Sequence, residues 1–246
     1  MRTVAIFFIS SLLSLALLAE KSRADCVILL HRLARTSLSL ALLDEVLKRH
    51  GYKTALIDYP STTGTIEDLS ERSLQQGFDI CGARQTHIVT HSMGGILTRI
   101  WLAKNTAPTL GRVVMMAPPN HGSEIVDILG DLDAFEWING PAGIALSENG
   151  IVTTLPDVNF ELGAIAGNQS LNSLFSSLIE GVDDGKVSIA STRVTGMNNH
   201  IVLPVPHTFM MNSPSVMAQI LTFLKEGQFS QDLPSADALK LVLGDF

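Results

Sequence analysis

The sequence predicts an α/β architecture, a mostly parallel central sheet with helices on both faces and room for a small cap. Three observations lead there. Short runs rich in β-branched residues alternate with longer helical patterns, the rhythm of βαβ units. Hydrophobic residues make up 46% of the 246 positions against 17% charged, enough to bury one sizeable core and too many for a disordered chain. An apolar run at Ile88-Val89-Thr90 leads through His91 into a tight Ser-Met-Gly-Gly turn and a further helix, so one strand ends in a sharp exit.

The first 24 residues stand apart. Arg2 supplies positive charge, Val4 to Ala19 is a nearly unbroken apolar run, and Ser22-Arg23-Ala24 offers small residues where a signal peptidase cuts. Residues 1–24 therefore read as a cleaved signal peptide, and the mature chain is expected in the periplasm or outside the cell. A membrane anchor is the competing reading, but the run falls short of the roughly twenty residues that span a bilayer. Asp25 stands where a lipoprotein signal requires a small residue ahead of Cys26. Residues 25–226 are expected to form one domain, and 227–246 a tail to which the sequence assigns no role.

Strands are expected at Cys26–His31, Lys53–Asp58, Thr86–Thr90, Arg112–Ala117, Glu161–Ala166 and His200–Val205. Ser37–Arg49 carries Leu38, Leu42, Leu43, Val46 and Leu47 as one apolar helical face, with Gly51 placed to end the helix. Thr65–Gln76 and Met93–Lys104 are further helices. Ser213-Pro214 opens a last one to about Lys225, with Val216, Ile220, Phe223 and Leu224 facing inward. Gly122–Val158 escapes the pattern. Its Ile125, Val126, Leu129, Phe135, Trp137 and Ile138 suit either a cap over a pocket or an excursion packed on the core.

An even pair of cysteines in an exported chain, Cys26 and Cys81, favours a disulfide over two buried thiols. Each precedes an apolar run, and the two strands so formed would be neighbours. Both sulfurs would then lie near the sheet edge opposite the sharp exit.

The exit itself carries the chemistry. A strand, a serine between small residues and a helix form the layout of a nucleophile elbow, in which the turn is too tight for bulky neighbours. Ser92 is the candidate nucleophile. The helix starting at Met93 aims its free N–H groups and positive dipole end at the same point, which suits a developing oxyanion. Thr90 stands where the elbow pattern expects glycine.

A serine hydroxyl needs a base to take its proton, and in this layout the partners follow in the order serine, acid, histidine. Of seven histidines, only His200 and His207 come late enough. His207 follows the last strand and precedes the Ser213 cap, so it can hang over the exit. His200 belongs to the far end of that strand. For the acid, Asp183-Asp184-Gly185 is a loop of carboxylates after the fifth strand; Asp184 is preferred, with Asp183 and Asp157 as alternatives.

Six pieces in this order resemble the bacterial triacylglycerol esterase/lipase group of α/β hydrolases. They are Leu30 to Thr36, Asp58-Tyr59-Pro60-Ser61, Thr90 to Gly95, Ala117 to Ser123, Asp183 to Val187 and His207 to Met210. The resemblance implies the α/β-hydrolase fold, a Ser92, Asp184 and His207 triad, and Leu33 and Met93 as oxyanion donors. This chain departs from the group's pattern at Arg32, where glycine is expected. A glycine at such a turn can take positive φ, which a side chain resists.

The reading is therefore a carboxylic ester hydrolase, esterase or lipase, working through an acyl-enzyme on Ser92. Acyl transfer or thioester cleavage on the same triad, and a degenerate hydrolase scaffold that only binds, are the alternatives. No metal or organic cofactor is implied, since neither a compact ligand cluster nor a Gly-x-Gly-x-x-Gly loop occurs. The formal charge of −7 disfavours nucleic acid as a partner and favours a neutral substrate. That substrate is expected to be a small-molecule or lipid-like ester, the apolar Gly122–Val158 segment favouring an acyl chain. No stable membrane span is expected after signal cleavage.

Overall fold

The structure, a computed structural model, describes residues 24–31, 37–59, 64–122, 145–146, 150–171 and 173–244. The signal-peptide reading, Arg32 with Leu33, and most of Gly122–Val158 fall outside them.

Among the described residues six strands form one sheet: β1 (Cys26–Leu30), β2 (Lys53–Ile57), β3 (Thr86–His91), β4 (Leu110–Met116), β5 (Leu162–Gly167) and β6 (Asn199–Leu203). Their spatial order is β2-β1-β3-β4-β5-β6, and every pairing is parallel. Parallel strands are covered on both faces, which explains why β1 and β3 are buried at every position. Along β1, Val27 and Leu29 enter the core on one face, while Cys26, Ile28 and Leu30 enter the core on the other.

The helices that cover these faces are α1 (Ala41–Arg49), α2 (Ile66–Cys81), α3 (Met93–Lys104), α4 (Pro214–Glu226) and α5 (Ser235–Leu243). Leu43 and Leu47 of α1 and Val216, Ile220 and Phe223 of α4 bury against Val27, Leu29 and Val89. Leu69 and Leu74 of α2 and Ile96, Leu97 and Ile100 of α3 bury on the opposite face. Thr65 caps α2, its hydroxyl accepting from the Asp68 amide at 3.2 Å.

Two helical expectations need correction. Leu38 and Leu42 are 79% and 53% exposed rather than part of the inner face. Ser37–Leu40 is a 3₁₀ turn, tighter than the α-helix that follows it, so the two stretches do not share one phase; Leu40, Leu43, Val46 and Leu47 are the buried set. The second helix also runs past Gln76 to Cys81, through Gly77. A Cβ on Gly77 would lie 2.7 Å from the Ile28 side chain, so this glycine lets the helix settle onto β1 rather than ending it.

The chain beyond Gly227, which the sequence leaves without a place, packs onto the sheet. Phe229 lies against Phe223, with ring centroids 4.9 Å apart. The Gln219 amide grips the Ser230 backbone in both directions, donating at 2.6 Å and accepting at 2.9 Å. α5 then buries Ala238 and Val242 beside α4. In the described part of Gly122–Val158, Leu146, Val152 and Val158 bury into the α2–α3 side of the core.

Cys26, the first residue of β1, is joined to Cys81, the last of α2, with Cα atoms 5.6 Å apart. This disulfide holds the amino ends of the sheet together.

The strand order dictates where a ligand can sit. From β1 the chain moves to β2, then crosses back over β1 to β3, so its direction of travel reverses. In open α/β sheets ligands bind at such a switch point, here between the carboxyl ends of β1 and β3. His31 follows β1 at this point, and Ser92 follows β3.

Candidate active site

Ser92 has φ 55° and ψ −121°, left-handed backbone that a side chain resists at a cost of about 1–2 kcal/mol. Its amide still donates to Met116 O at 2.8 Å, so β4 holds the residue while the chain reverses into α3. The glycines after it serve that turn. A Cβ on Gly94 would sit 3.0 Å from Leu30 O and 3.2 Å from Thr90 Cβ; one on Gly95 would meet Pro118 at 3.0 Å. Thr90 and residue 94 face the same small space. The elbow therefore accepts a side chain at Thr90 because Gly94 has none. Met93 opens α3, and its amide is one of the N–H groups a helix start leaves unpaired.

His207 begins a 3₁₀ turn (His207–Asn212) after β6. Its Nδ1 lies 2.8 Å from Asp184 Oδ2, with both side chains 1% exposed. Asp184 is itself fixed: Oδ1 accepts from the amides of Lys186 at 3.0 Å and Val187 at 2.9 Å, and its carbonyl accepts from the His207 amide at 2.9 Å. A carboxylate at Asp184 accepts from Nδ1–H, which keeps the proton on Nδ1 and leaves Nε2 as the acceptor. Nε2 is buried and has no hydrogen-bond partner among the described residues.

The pair is brought to the elbow through His91, the residue before Ser92. Its ring lies 4.7 Å from that of His207, centroid to centroid, tilted by 39°. Ser92 itself is not hydrogen-bonded to His207. Such contacts are often long in a protein without substrate and tighten when one binds.

The other candidates are occupied elsewhere. Asp183 Oδ1 accepts from Ser176 Oγ at 2.7 Å and from the Gly185 amide at 2.6 Å, which folds the loop that presents Asp184. Asp157 is exposed, and its charge acts on Arg99. His200 lies at the amino end of β6, its Nε2 2.9 Å from Thr192 Oγ1, and burial pushes its pKa down to about 4.

Two further features have no counterpart in the sequence reading. The first is a buried polar junction beside α3. Arg99 donates to both Asn120 O and Asn120 Oδ1 at 3.2 Å and to Pro156 O at 3.4 Å, while Asn120 Nδ2 donates to Thr192 O at 3.0 Å. Two loops thus meet on one guanidinium, whose pKa burial lowers, and Asn120 ties a third loop to them. The second is Tyr59, just beyond β2. Its ring stacks on His31 at 4.0 Å and 10°, its hydroxyl donates to His31 O, and its amide donates to His31 Nε2 at 3.4 Å. The only signal in the sequence was Tyr59 itself within Asp58-Tyr59-Pro60-Ser61, where its partner could not be read.

Among the described residues, no group of three or more His, Cys, Asp or Glu side chains could hold a metal ion. No helix among them is long and apolar enough to cross a membrane.

Comparison of the sequence with models of known families gives no match, and comparison with curated proteins gives none. Comparison of the fold with solved structures does. The propeptide form of the Bacillus licheniformis lipase BlEst2 matches with a TM-score of 0.67 at 19% identity, over 86% of this chain and 52% of that one. Phospholipase PlaB from Legionella pneumophila matches at 0.65 and 17%, over 90% and 63%. A metagenomic carboxyl esterase, MGS0156, matches at 0.62 and 16%, over 91% and 75%. The chain thus spans about half the length of the first and under two thirds of the second. With its parallel sheet, its reversal of strand order between β1 and β3 and these neighbours, the chain has the α/β-hydrolase fold.

Proposed function

We propose that this protein is an exported serine hydrolase that cleaves carboxylic esters through an acyl-enzyme on Ser92. The observation that carries the reading is the buried Asp184–His207 pair beside a serine held at positive φ at the switch point of the sheet. Strain of that kind is concentrated at working sites. The esterases and lipases among the structural neighbours support the same reaction class.

In this reading Ser92 Oγ attacks the ester carbonyl carbon as its proton passes to His207 Nε2. Asp184 holds the ring in the required tautomer and stabilises the imidazolium. The negative charge on the former carbonyl oxygen faces the Met93 amide and the dipole of α3, with Leu33 as the second donor that family resemblance suggests. The C–O bond to the alcohol then breaks and Nε2 returns its proton to the leaving alkoxide oxygen. Water, deprotonated by the same nitrogen, attacks the acyl-Ser92 ester and releases the acid. Substrates are small-molecule or lipid-like esters, their neutrality in keeping with the formal charge of −7. The disulfide fits an oxidising compartment, so a cleaved segment at residues 1–24 and export complete the proposal.

The test is labelling with a fluorophosphonate, with Ser92→Ala alongside and p-nitrophenyl esters of short and long acids as substrates. Labelling and hydrolysis that vanish together in the variant are expected. A folded wild-type protein that neither labels nor hydrolyses any ester would overturn the reading.

A further inference from the structure

We propose that Arg99 is a positioning residue of the reaction, which through Asn120 fixes the loop carrying Asp184 to the helix that follows Ser92. The inference rests on the ester-hydrolase reading above and extends it to a residue outside the triad. Arg99 lies about two turns into α3 from Ser92. Its guanidinium donates to Asn120 O and Asn120 Oδ1, both at 3.2 Å. Asn120 passes the grip on, its amide donating to Ser191 O at 2.9 Å and its Nδ2 to Thr192 O at 3.0 Å. Ser191 and Thr192 are tied in turn to Ser188, the first amide donating to Ser188 Oγ at 3.1 Å and the second to Ser188 O at 3.3 Å. Ser188 bridges to Asp183 and follows Val187, whose amide donates to Asp184 Oδ1 at 2.9 Å. The other oxygen of that carboxylate accepts from His207 Nδ1 at 2.8 Å. Hydrogen bonds and short stretches of backbone thus lead from the nucleophile helix to the base entirely through buried residues.

Two observations make geometry the thing Arg99 supplies. The first is the cost of the residue itself. A buried cation is costly unless an opposite charge meets it, and this side chain is only 6% exposed. Its acceptors among the described residues are all neutral, the two oxygens of Asn120 and Pro156 O, and its buried Nε has none. Asp157 acts on it only from a distance. An apolar side chain of similar volume could fill the space without that penalty, but only the rigid fork of N–H groups can hold Asn120 and Pro156 at once.

The second is strain in the segment it grips. Ala117, at the exit of β4, has φ 46°, left-handed backbone that a side chain resists. Such a residue persists only where its surroundings impose the conformation. Here the Ala117 amide donates to Ile165 O at 2.8 Å on one side, and Arg99 holds Asn120 on the other. The same exit passes beside the elbow, where Pro118 packs against Gly95. β3 and β4 therefore end side by side in residues at positive φ, joined by the bond from the Ser92 amide to Met116 O.

Two substitutions break the junction at different points. Arg99→Lys keeps the charge and loses the fork, whereas Asn120→Asp keeps the oxygen that Arg99 grips and loses the donor to Thr192. A misplacement of about 1 Å far from the chemistry can cost about 10² in rate, so each variant should lower kcat on p-nitrophenyl butyrate about tenfold or more, with KM within about twofold. Measured well below the melting temperature, the rate of fluorophosphonate labelling should fall in parallel. The deciding comparison repeats both substitutions in an Asp184→Asn background, with labelling followed over long incubation. If the junction acts through the acid, each should there change the labelling rate by less than about twofold. A residue that only held the fold would lower the rate by the same factor in both backgrounds.

Wild-type kcat and labelling rates in both variants overturn the proposal and leave Ser92 chemistry intact. Equal losses with and without the Asp184 carboxylate also overturn it, and so does failure of both variants to fold, because the junction would then hold the fold and not the site. A wild-type protein inert to the probe overturns the ester-hydrolase reading and this inference with it.

Discussion

Gly167, the last residue of β5, stands where a side chain would strike Asp184. A Cβ placed on it would lie 2.8 Å from Asp184 Cβ and 2.3 Å from Val205 O. The loops that carry Asp184 and His207 therefore close over a residue with no side chain. Gly167→Ala should push them apart and misplace His207, lowering kcat at least tenfold while costing about 1–3 kcal/mol of stability, the usual cost of overpacking. Ester kinetics below the melting temperature check this; a stable Gly167→Ala enzyme with unchanged kcat would show that the loops need no such closeness.

The adjacent carboxylates Asp183 and Asp184 have different partners, so their substitutions should separate. Asp184→Asn keeps the shape but lets Nδ1 lose its proton, and kcat should drop about 10³–10⁴-fold at an unchanged fold. Asp183→Asn disturbs the bonds from Ser176 and Gly185 and should act on stability, by about 1–2 kcal/mol, more than on kcat. Measuring kcat and thermal melting on both proteins decides it, and the reverse pattern would move the acid to Asp183.

What the sequence made legible were features written in consecutive residues. Met93–Lys104 is the helix the spacing predicts, because its start is the elbow and its end is Asn105. The six strands fall within two residues of expectation, since burial on both faces leaves continuous apolar runs. Less legible were features set by packing. The helix expected to end at Gln76 runs on through Gly77, whose lack of a side chain makes sense only once Ile28 is seen beneath it. Leu38 reads as core until the 3₁₀ turn shifts its phase. In the site, Ser92 stood out because an elbow is local, while the sequence preferred Asp184 to Asp183 without showing which carboxylate faces His207. The Tyr59–His31 grip joins residues 28 positions apart and depends on β1 and β2 ending side by side.

The disulfide lies at the amino ends of the strands, away from Ser92. It closes a loop of 55 residues, for which chain entropy gives about 4 kcal/mol of stabilisation. The double variant Cys26→Ala/Cys81→Ala should melt about 10 °C lower, given roughly 2–4 °C per kcal/mol at this size. Its kcat at 25 °C should match wild type. Calorimetry and ester kinetics on the same sample check both halves, and a large loss of kcat in the folded variant would show that the sheet transmits strain to the site.

His200 makes acid stability testable at one residue. Its imidazole titrates near 6.5 when unfolded, and burial, reinforced by the Arg193 charge, brings it down to about 4 in the fold. Between those values the unfolded chain binds a proton that the folded one does not, so stability rises with pH. The contribution is complete above about pH 6.5 and drains away as pH falls toward 4. His87, whose pKa burial also lowers, acts in the same direction, so one substitution should not abolish the slope. His200→Gln retains a group able to meet the Thr192 hydroxyl but carries no proton to gain. Melting temperature followed from pH 7 to 4.5 should therefore fall less steeply in His200→Gln than in wild type. Parallel curves would mean that His200 is protonated as readily in the fold as in the unfolded chain, and that the acid sensitivity resides at His87 or elsewhere.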